Sequence, residues 1–387
     1  MHIIEFTADS LRFVETVPAQ PPHDGFVWIY LDRDDLDLHQ AALQQAALQL
    51  GGSQLLDLHG QDLASAAHPS HYDYTSVYDL IIFRRLATQA ETLAEEEHVA
   101  AVQAYHGQGG KARTKAKPGL PAFNRISSRA VGFVVYDRLL ISVHPRACYT
   151  AKSFIERFLA DAKFSVDAVS ARNRIPSSPA DLLLRMVNSM VDSYLDLRKD
   201  LTQQLDHWQI ELLKPAARFT DWGALMGARS QLQVLEDLCD EQRDAMQEWL
   251  DSLREQPQFA QTSAGLDNRA NQAQHDQLIA RARDVIEHIE RVVHHARRME
   301  QSAETVIQIH FSAQSHRTND IMRTLTALTA IFLPLNLITG FFGMNFEFMP
   351  LLHHPTAFWW TVGLMLLIVL VTGLVFWRKR YIARTGA

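Results

Sequence analysis

Two uninterrupted apolar stretches near the end of the chain stand out in the pattern of hydrophobic and polar positions. The segments 325–342 and 357–377 contain no Asp, Glu, Lys or Arg. Each has about the 20 residues that cross the hydrocarbon core of a bilayer as a helix. The pattern therefore predicts two transmembrane helices in a chain that is otherwise polar enough to be soluble.

Charged residues around these stretches predict their orientation. Lys and Arg are absent between the two spans and occur on their far sides, at Arg317, Arg323, Arg378, Lys379, Arg380 and Arg384. Cytoplasmic flanks have the excess of positive charge, and the start of the chain lacks the pattern of a secretory signal. We expect both termini in the cytoplasm, an external loop over 343–356 and a basic cytoplasmic tail over 378–387.

The first part of the chain, 1–150, mixes strand and helix patterns and predicts an α/β domain. Runs of β-branched and aromatic residues typical of strands occur at 25–31, 78–83, 131–136 and 139–143. Helical patterns lie between them, at 36–50 and around 61–66. The segment 91–129 contains a Gly- and Lys-rich polar run that cannot bury a core, so we interpret it as a flexible insertion.

Helical patterns replace strand patterns after residue 150. The region 151–265 predicts a helical hairpin, with helices over 182–213 and 222–253 that end before Lys-Pro and Gln-Pro. From Leu266 to Leu333 there are 68 residues without Gly or Pro, which as one helix would be on the order of 100 Å long. Apolar residues at alternating spacings of three and four predict that this helix, 266–342, packs along other helices in a bundle.

The same spacing continues beyond Val306, but its residues become polar and then mixed. The stripe comprises Gln308, Ser312, Ser315, Asn319, Met322, Leu325, Thr329, Leu333, Asn336 and Gly340. Such a stripe is typical of a water-filled pore with apolar constrictions at Met322, Leu325 and Leu333, although Ser, Thr, Met and Leu also occur in ordinary helix contacts. Asn336 favours the pore, because an amide in mid-membrane needs a cavity or a partner. Two spans cannot enclose a pore alone, so a pore requires an oligomer of unspecified size.

Composition adds few functional signals. The net charge of -7 and the mixed-sign surface give no basic footprint for nucleic acid, and phosphate-binding, hydrolase and zinc-protease motifs are missing. The sequence therefore does not support an enzyme. The two cysteines, Cys148 and Cys239, lie in the expected cytoplasmic part, where we interpret them as buried apolar residues.

The residues around the first span resemble the CorA superfamily of divalent-cation transporters. The resemblance lies in Gly343-Met344-Asn345, in the segments 318–326, 331–335 and 346–350, and in the basic tail. It implies a funnel-shaped homopentamer in the bacterial inner membrane, whose partners are its own copies, lipid and divalent cations. Gly343, Met344 and Asn345 would form the selectivity filter, with Asn345 holding a hydrated cation through its first water shell.

The resemblance also implies deeper pore positions and cytoplasmic regulation. Asn319 and Asn336 would be polar stations along the pore, and Mg²⁺ bound between neighbouring protomers would close it. Asp284 matches the regulatory carboxylate of the long helix, and Asp62 is the counterpart expected in the first domain. Gln308 differs from relatives with an acidic residue at that level. No resident cofactor is implied, because the divalent cation is the cargo and the regulator.

The identity of the cation is left with two alternatives. The segment 346–350 is similar to the Mg²⁺ branch, which also takes Co²⁺ and Ni²⁺, whereas histidines suit Zn²⁺, the cation of the ZntB branch. Those histidines are His288, His294 and His295 on the long helix and His353 and His354 in the outer loop. A membrane-anchored coiled-coil scaffold would explain the heptads and spans but not the polar stripe.

Overall fold

The computed structural model describes residues 1–7, 10–88, 91, 123, 126–146, 148, 154–156, 175–213, 222–255, 266–344 and 356–378. By contacts the chain divides into two compact units, Met1–Glu304 and Thr305–Ala387. Most of the expected insertion, the outer loop and the basic tail lie outside the described residues. Asn345, His353 and His354 are among them.

A seven-stranded mixed sheet forms the centre of the first unit. Its strands are β1 (His2–Thr7), β2 (Leu11–Val14), β3 (Gly25–Asp32), β4 (His71–Tyr74), β5 (Asp79–Leu86), β6 (Ser128–Val135) and β7 (Leu139–His144). Their order across the sheet is β2-β1-β3-β7-β6-β5-β4, and β3 and β7 pair in parallel while the other neighbours are antiparallel. The four runs expected to be strands are thus confirmed; β1, β2 and β4 are additional.

The central strands are buried on both faces, which explains their nearly continuous apolar runs. Val27, Ile29 and Leu31 of β3 share one core with residues of the helices α1 (Leu36–Ala46) and α2 (Asp57–Ala64). Trp28 points to the other face, where its indole N–H donates to the Ser142 hydroxyl over 2.7 Å. Helix α3 (Pro179–Leu213) contacts β3, β5, β6 and β7, so helices and sheet form a layered α/β domain.

The segment between β5 and β6 is shorter than expected at its end. Ser128 and Arg129, placed in the insertion 91–129 by composition, belong to β6 and pair with Leu86 and Arg85. At its start, the Glu91 carboxylate accepts two hydrogen bonds from the Arg85 guanidinium, at 2.9 and 2.5 Å. Polar composition could not locate these boundaries, because both depend on pairing with β5.

Three long helices follow the sheet: α3, α4 (Trp222–Glu255) and α5 (Leu266–Phe342). Contacts between α3 and α5 join residues about one hundred apart, as in Asn188 with His288 and Tyr194 with His295. The two helices therefore run parallel. Helix α4 runs antiparallel to α5, since Arg229 pairs with Glu300 while Glu236 pairs with Arg297.

The heptad positions of α5 are buried as expected in this bundle. Ala282, Val285, Ile289, Ala296 and Ala303 all have exposed fractions of 2% or less. Cys148 and Cys239 are free and buried, which confirms their interpretation as apolar residues. The seam of α5 is therefore buried within the chain from Ala282 to Ala303, whereas Leu278 is half-buried.

The second unit contains the end of α5 and the helix α6 (Ala357–Arg378). Both helices are long and apolar enough to cross a membrane, with mean hydropathies of 1.8 and 2.3 in their most apolar windows. Only 6% and 0% of those windows are buried, unlike the core helix of a soluble protein. Helix α5 continues through Pro334 without ending.

Candidate cation pathway and regulatory carboxylates

The stripe expected to line a pore is exposed along its whole length in the isolated chain. All ten of its residues, from Gln308 to Gly340, lie within the exposed class, and Met322, Leu325 and Leu333 have exposed fractions of 58%, 56% and 69%. At about 100° per residue these positions stay on one side of the helix. No other part of the described chain covers this face.

The opposite side of α5 is partly covered. Ala327 is buried, and Ala330, Ile331, Pro334, Leu335 and Ile338 are half-buried. On α6, half-buried residues also recur every three or four positions, at Thr361, Met365, Ile368, Thr372 and Phe376. Such lines of reduced exposure are typical of one packed face on a helix, and the line on α5 lies on the side away from the stripe.

The amide side chains of the stripe have no partners within the described part of the chain. No hydrogen bond joins the amides of Gln308, Asn319 or Asn336 to another described residue, although each amide can make several. The Thr329 hydroxyl donates to the Leu325 carbonyl over 2.8 Å, so its remaining lone pairs can accept from water. An unpaired amide at membrane depth is costly unless it meets water or a neighbouring protein.

Charged residues near the spans lie off the stripe. Asp320 and Arg323 form an exposed pair at 3.7 Å, and their helical positions are turned away from those of Asn319 and Met322. The stripe from Gln308 to Gly340 is therefore uncharged, with amides and hydroxyls at its polar levels. Neutral oxygens can bind the waters of a hydrated cation without stripping them, which suits an ion that dehydrates reluctantly.

The first residue of the Gly343-Met344-Asn345 motif closes helix α5. The Gly343 N–H donates to the Thr339 carbonyl over 2.9 Å. A Cβ on Gly343 would lie 2.9 Å from that same oxygen, closer than real Cβ atoms come. A side chain at this position would therefore shift the end of the helix, which explains the glycine. Asn345 itself lies outside the described residues.

The two expected regulatory carboxylates occupy separate elements of the first unit. Asp284 lies exposed on α5 between the buried residues Ala282 and Val285. Asp62 lies on α2 with its side chain 20% exposed, and its Oδ1 atom is 3.4 Å from Nε2 of His68. Within the described part of one chain, no three His, Cys, Asp or Glu residues are arranged to hold a metal ion.

The histidines of the long helix have different partners and form no common centre. His288 Nδ1 lies 3.1 Å from Asn188 and 3.7 Å from Asp192, whereas His294 is exposed. His295 is buried against Tyr194, and burial, with smaller effects of Arg198 and Arg298, lowers its pKa to about 4. These histidines therefore do not form a single zinc site.

The imidazole beside Asp62 is a contact that the sequence reasoning missed. His68 Nδ1 lies 2.9 Å from the Pro69 carbonyl, and the His71 ring lies 5.7 Å from the His68 ring. The only signal in the sequence is the short segment His68-Pro69-Ser70-His71. Its position next to Asp62 depends on how β4 follows α2 in the fold.

The fold combines an α/β domain with a helical bundle, and its long helix α5 continues into the first of two apolar C-terminal segments. These features define a two-span membrane protein with a large extramembrane part. Residues 119–380 match the family described as CorA-like Mg²⁺ transporter protein. Because the match covers well over half of the chain, the chain belongs to this family. Its family is thus one of transport proteins.

Similar proteins agree with this membership. The chain is 24% identical over 213 residues to the cobalt/magnesium transport protein CorA of Thermotoga maritima, covering 54% of this chain and 55% of that protein. It is 36% identical over 78 residues to the CorA of Methanocaldococcus jannaschii, covering 20% and 25%. The matched segments thus span about half or less of the length of these relatives.

Solved structures show the same fold along the chain. The complete CorA magnesium transporter of Methanocaldococcus jannaschii superposes with a TM-score of 0.68 at 16% identity, covering 100% of this chain and 98% of that one. The cytoplasmic domain of ZntB from Vibrio parahaemolyticus gives 0.51 at 11% identity, covering 82% and 98%. At these identities the likeness establishes the fold alone.

Proposed function

We propose that the chain is the protomer of a homopentameric, funnel-shaped channel or transporter for divalent cations, with Mg²⁺ as the main cargo and Co²⁺ and Ni²⁺ as further ones. The observation that supports this most is the uncharged stripe on α5, which stays exposed from Gln308 to Gly340, while the opposite side is partly covered between Ala327 and Ile338. Assembly around this face would turn unpartnered amides toward a water-filled axis, where they are least costly.

The proposed pore has three functional levels. Gly343, Met344 and Asn345 form the outer selectivity filter, where the Asn345 amides bind the first water shell of the cation. Asn319 and Asn336 are polar stations further inward. Met322, Leu325 and Leu333 form rings of apolar side chains that close the pore by excluding water.

Regulation takes place between neighbouring protomers. Asp284 of one protomer and Asp62 of the next share a Mg²⁺ ion when its cytoplasmic concentration is high. The exposure of Asp284 and the incomplete ligand set around Asp62 are what an intersubunit site would require. Occupation of the site favours the closed state, because the ion binds the two carboxylates together only in that arrangement.

The membrane arrangement follows the charge pattern. We place the protein in the bacterial inner membrane, with the spans at about 325–342 and 357–377 and both termini in the cytoplasm. The domain boundaries follow the sequence: 1–150 for the α/β domain, 151–265 for the helical hairpin and 266–342 for the long helix. The proposed partners are four further copies of the chain, the bilayer and the cations.

Zn²⁺ transport is the second candidate function. One observation favours it: His68 Nε2 lies beside the Asp62 carboxylate, and imidazole suits Zn²⁺ better than Mg²⁺. In this alternative, transport is driven by a proton gradient. The histidines of α5 do not support Zn²⁺ transport further, because they have different partners in the fold.

Reconstitution in liposomes tests the proposal and separates the alternatives. Purified protein is placed in vesicles that contain an ion-sensitive dye, and Mg²⁺ and Zn²⁺ entry are compared with and without a pH gradient. We expect Mg²⁺ entry that is indifferent to the gradient and is abolished by Asn345→Ala in an intact oligomer. Zn²⁺ entry that requires the gradient would replace Mg²⁺ transport by Zn²⁺ transport as the proposed function. Entry of neither ion would favour a membrane-anchored coiled-coil scaffold.

A further inference from the structure

A cavity of about 260 Å³ lies between α3 and α5 in the first unit, outside the proposed cation pathway. Its walls include Arg198, Thr202 and Asp206 from α3 and His295, Arg298 and Ser302 from α5. These residues are spaced by three, four or seven positions on their helices, so each set lies on one helix face. The parallel course of the two helices brings the faces together.

The imidazole of His295 forms part of the wall of this cavity. Its exposed fraction is 8%, and Nδ1 lies 2.7 Å from the Tyr194 hydroxyl. That hydroxyl has no other partner among the described residues, and burial raises its pKa and keeps it protonated. We therefore assign the hydroxyl as the donor and Nδ1 as the acceptor of this hydrogen bond. A neutral imidazole that accepts at Nδ1 must have its hydrogen on Nε2. No described residue accepts a hydrogen bond from Nε2.

The two arginines at the rim of the cavity are exposed and have no carboxylate partner in the described part of the chain. Arg298 donates only from Nε, to the His294 carbonyl over 3.3 Å, and Arg198 makes no ion pair. The adjacent Arg297 by contrast binds both Glu236 and Asp240. These two carboxylates of α4 therefore pair with Arg297 and not with Arg298.

One end of the cavity is consequently positive. Asp206 is the carboxylate on its wall, but it lies two helical turns beyond Arg198, at about 12 Å along the helix. The Thr202 hydroxyl already donates to the Arg198 carbonyl over 2.9 Å. The free donors at the positive end are thus the two guanidinium groups, the His295 Nε2–H and the Ser302 hydroxyl.

We propose that this cavity binds a phosphate-type oxyanion between α3 and α5. Guanidinium forks match the oxygens of a phosphate group, and each bond is strengthened by charge. The buried imidazole adds a neutral donor in a fixed orientation, and the volume accommodates a single phosphate group with water. Because α5 continues from the first unit into the second, a bound oxyanion would hold α3 against the helix that contains the stripe.

Hydrogen exchange measured with inorganic phosphate tests this site without reference to transport. The full-length protein in neutral-lipid nanodiscs is titrated with phosphate at constant ionic strength, and exchange of the peptides around 198–209 and 295–302 is followed. We expect slower exchange that saturates, and a dissociation constant that rises at least about tenfold in Arg298→Gln. Thermal unfolding verifies that the variant is folded.

Arg291→Gln is the matched control. Arg291 is exposed on the same helix and donates from Nε to the Glu287 carbonyl over 3.2 Å, just as Arg298 does to His294, but it lies outside the cavity. The proposal requires this variant to bind phosphate like the unaltered protein. Equal weakening in both variants would overturn it, because general attraction to a basic surface would then explain the binding.

Arg298 lies 27 residues before Leu325 on the continuous helix α5, about 40 Å from the start of the proposed span, so a free phosphate group and not a bilayer headgroup is the expected ligand. Absence of protection by phosphate would refute the site, and it would leave the cation transport proposal unaffected.

Discussion

Met322 offers the sharpest test of the apolar gate. The perturbation is Met322→Ser, which replaces a long apolar side chain by a small polar one at the start of the membrane-spanning part of the stripe. The side chain is 58% exposed in the single chain. If the closed pentamer buries that part, each methionine contributes about 1–2 kcal/mol to the closed state, since full burial contributes about 1.5–3 kcal/mol.

The expected effect is large because the ring repeats the contribution in every protomer. Five copies together contribute about 4–9 kcal/mol, and about 5.5 kcal/mol shifts a two-state equilibrium from 1:99 to 99:1. Met322→Ser should therefore leave the pore open even when the vesicle interior contains inhibitory Mg²⁺. The assay is Mg²⁺ entry into liposomes preloaded with Mg²⁺ and a dye, compared with the unaltered protein.

Leu328→Ser provides the matched control. Leu328 is 53% exposed and lies about 120° from Met322 and about 60° from Leu325 around the helix, beside the stripe and not on it. The gate hypothesis expects this variant to retain inhibition by internal Mg²⁺. Equal leakage in the two variants would refute it, because loss of apolar surface anywhere on the helix would then be sufficient.

Three further predictions concern regulation, the helix end and pH. Asp284→Asn should abolish inhibition by internal Mg²⁺ in the same liposome assay, whereas Glu287→Gln, one turn away and exposed, should retain it. Gly343→Ala should reduce Mg²⁺ entry severalfold because its Cβ would clash with a carbonyl of the last turn, whereas Gly363→Ala, which has open space around it, should not. His295 has a pKa lowered to about 4, so the unfolded chain binds its proton first as the pH falls below about 6.5. The neutral His295 imidazole should therefore contribute at most about 3 kcal/mol to the free energy of unfolding at pH 7. This contribution should be lost as the pH falls from 6.5 to 4.

Each of these predictions has a result that would contradict it. Unchanged inhibition in the Asp284 variant would remove this residue from the proposed regulatory site. Normal entry through the Gly343 variant would show that the helix end tolerates the shift. For the histidine, the free energy of unfolding is measured with denaturant at several pH values. As the pH is lowered from 6.5 to 4, this free energy should decrease less in His295→Gln than in the unaltered protein. Equal decreases in the two proteins would exclude His295 as the cause.

The helices and central strands could be predicted because their patterns are local. The unbroken run from Leu266 to Leu333 and the apolar seam of α5 specify a long packed helix, and the structure confirms both. The buried strands β3, β6 and β7 have continuous apolar runs that composition alone reveals. Edge strands such as β2 and β4 are short and half-exposed, so their signals were too weak to recognise.

The candidate sites could be predicted only where the chemistry repeats along one helix. The stripe on α5 follows from helical spacing, and its role as the lining of a pore stays a prediction. The contact of His68 with Asp62 and the cavity beside His295 join residues from different elements. Their proximity depends on how helices and strands pack, which spacing along the sequence does not encode.

Cysteine accessibility along the stripe tests the central claim most directly. Ser312 and Ser315 are replaced singly by cysteine in the reconstituted protein, and Mg²⁺ entry is measured before and after a charged thiol reagent is added. The two native cysteines are buried and provide little background reaction. If α5 lines the pore through this face, modification at Ser312 and Ser315 should block entry, whereas modification at Gln314→Cys, turned away from the stripe, should not. Block at Gln314 without block at Ser315 would contradict the account.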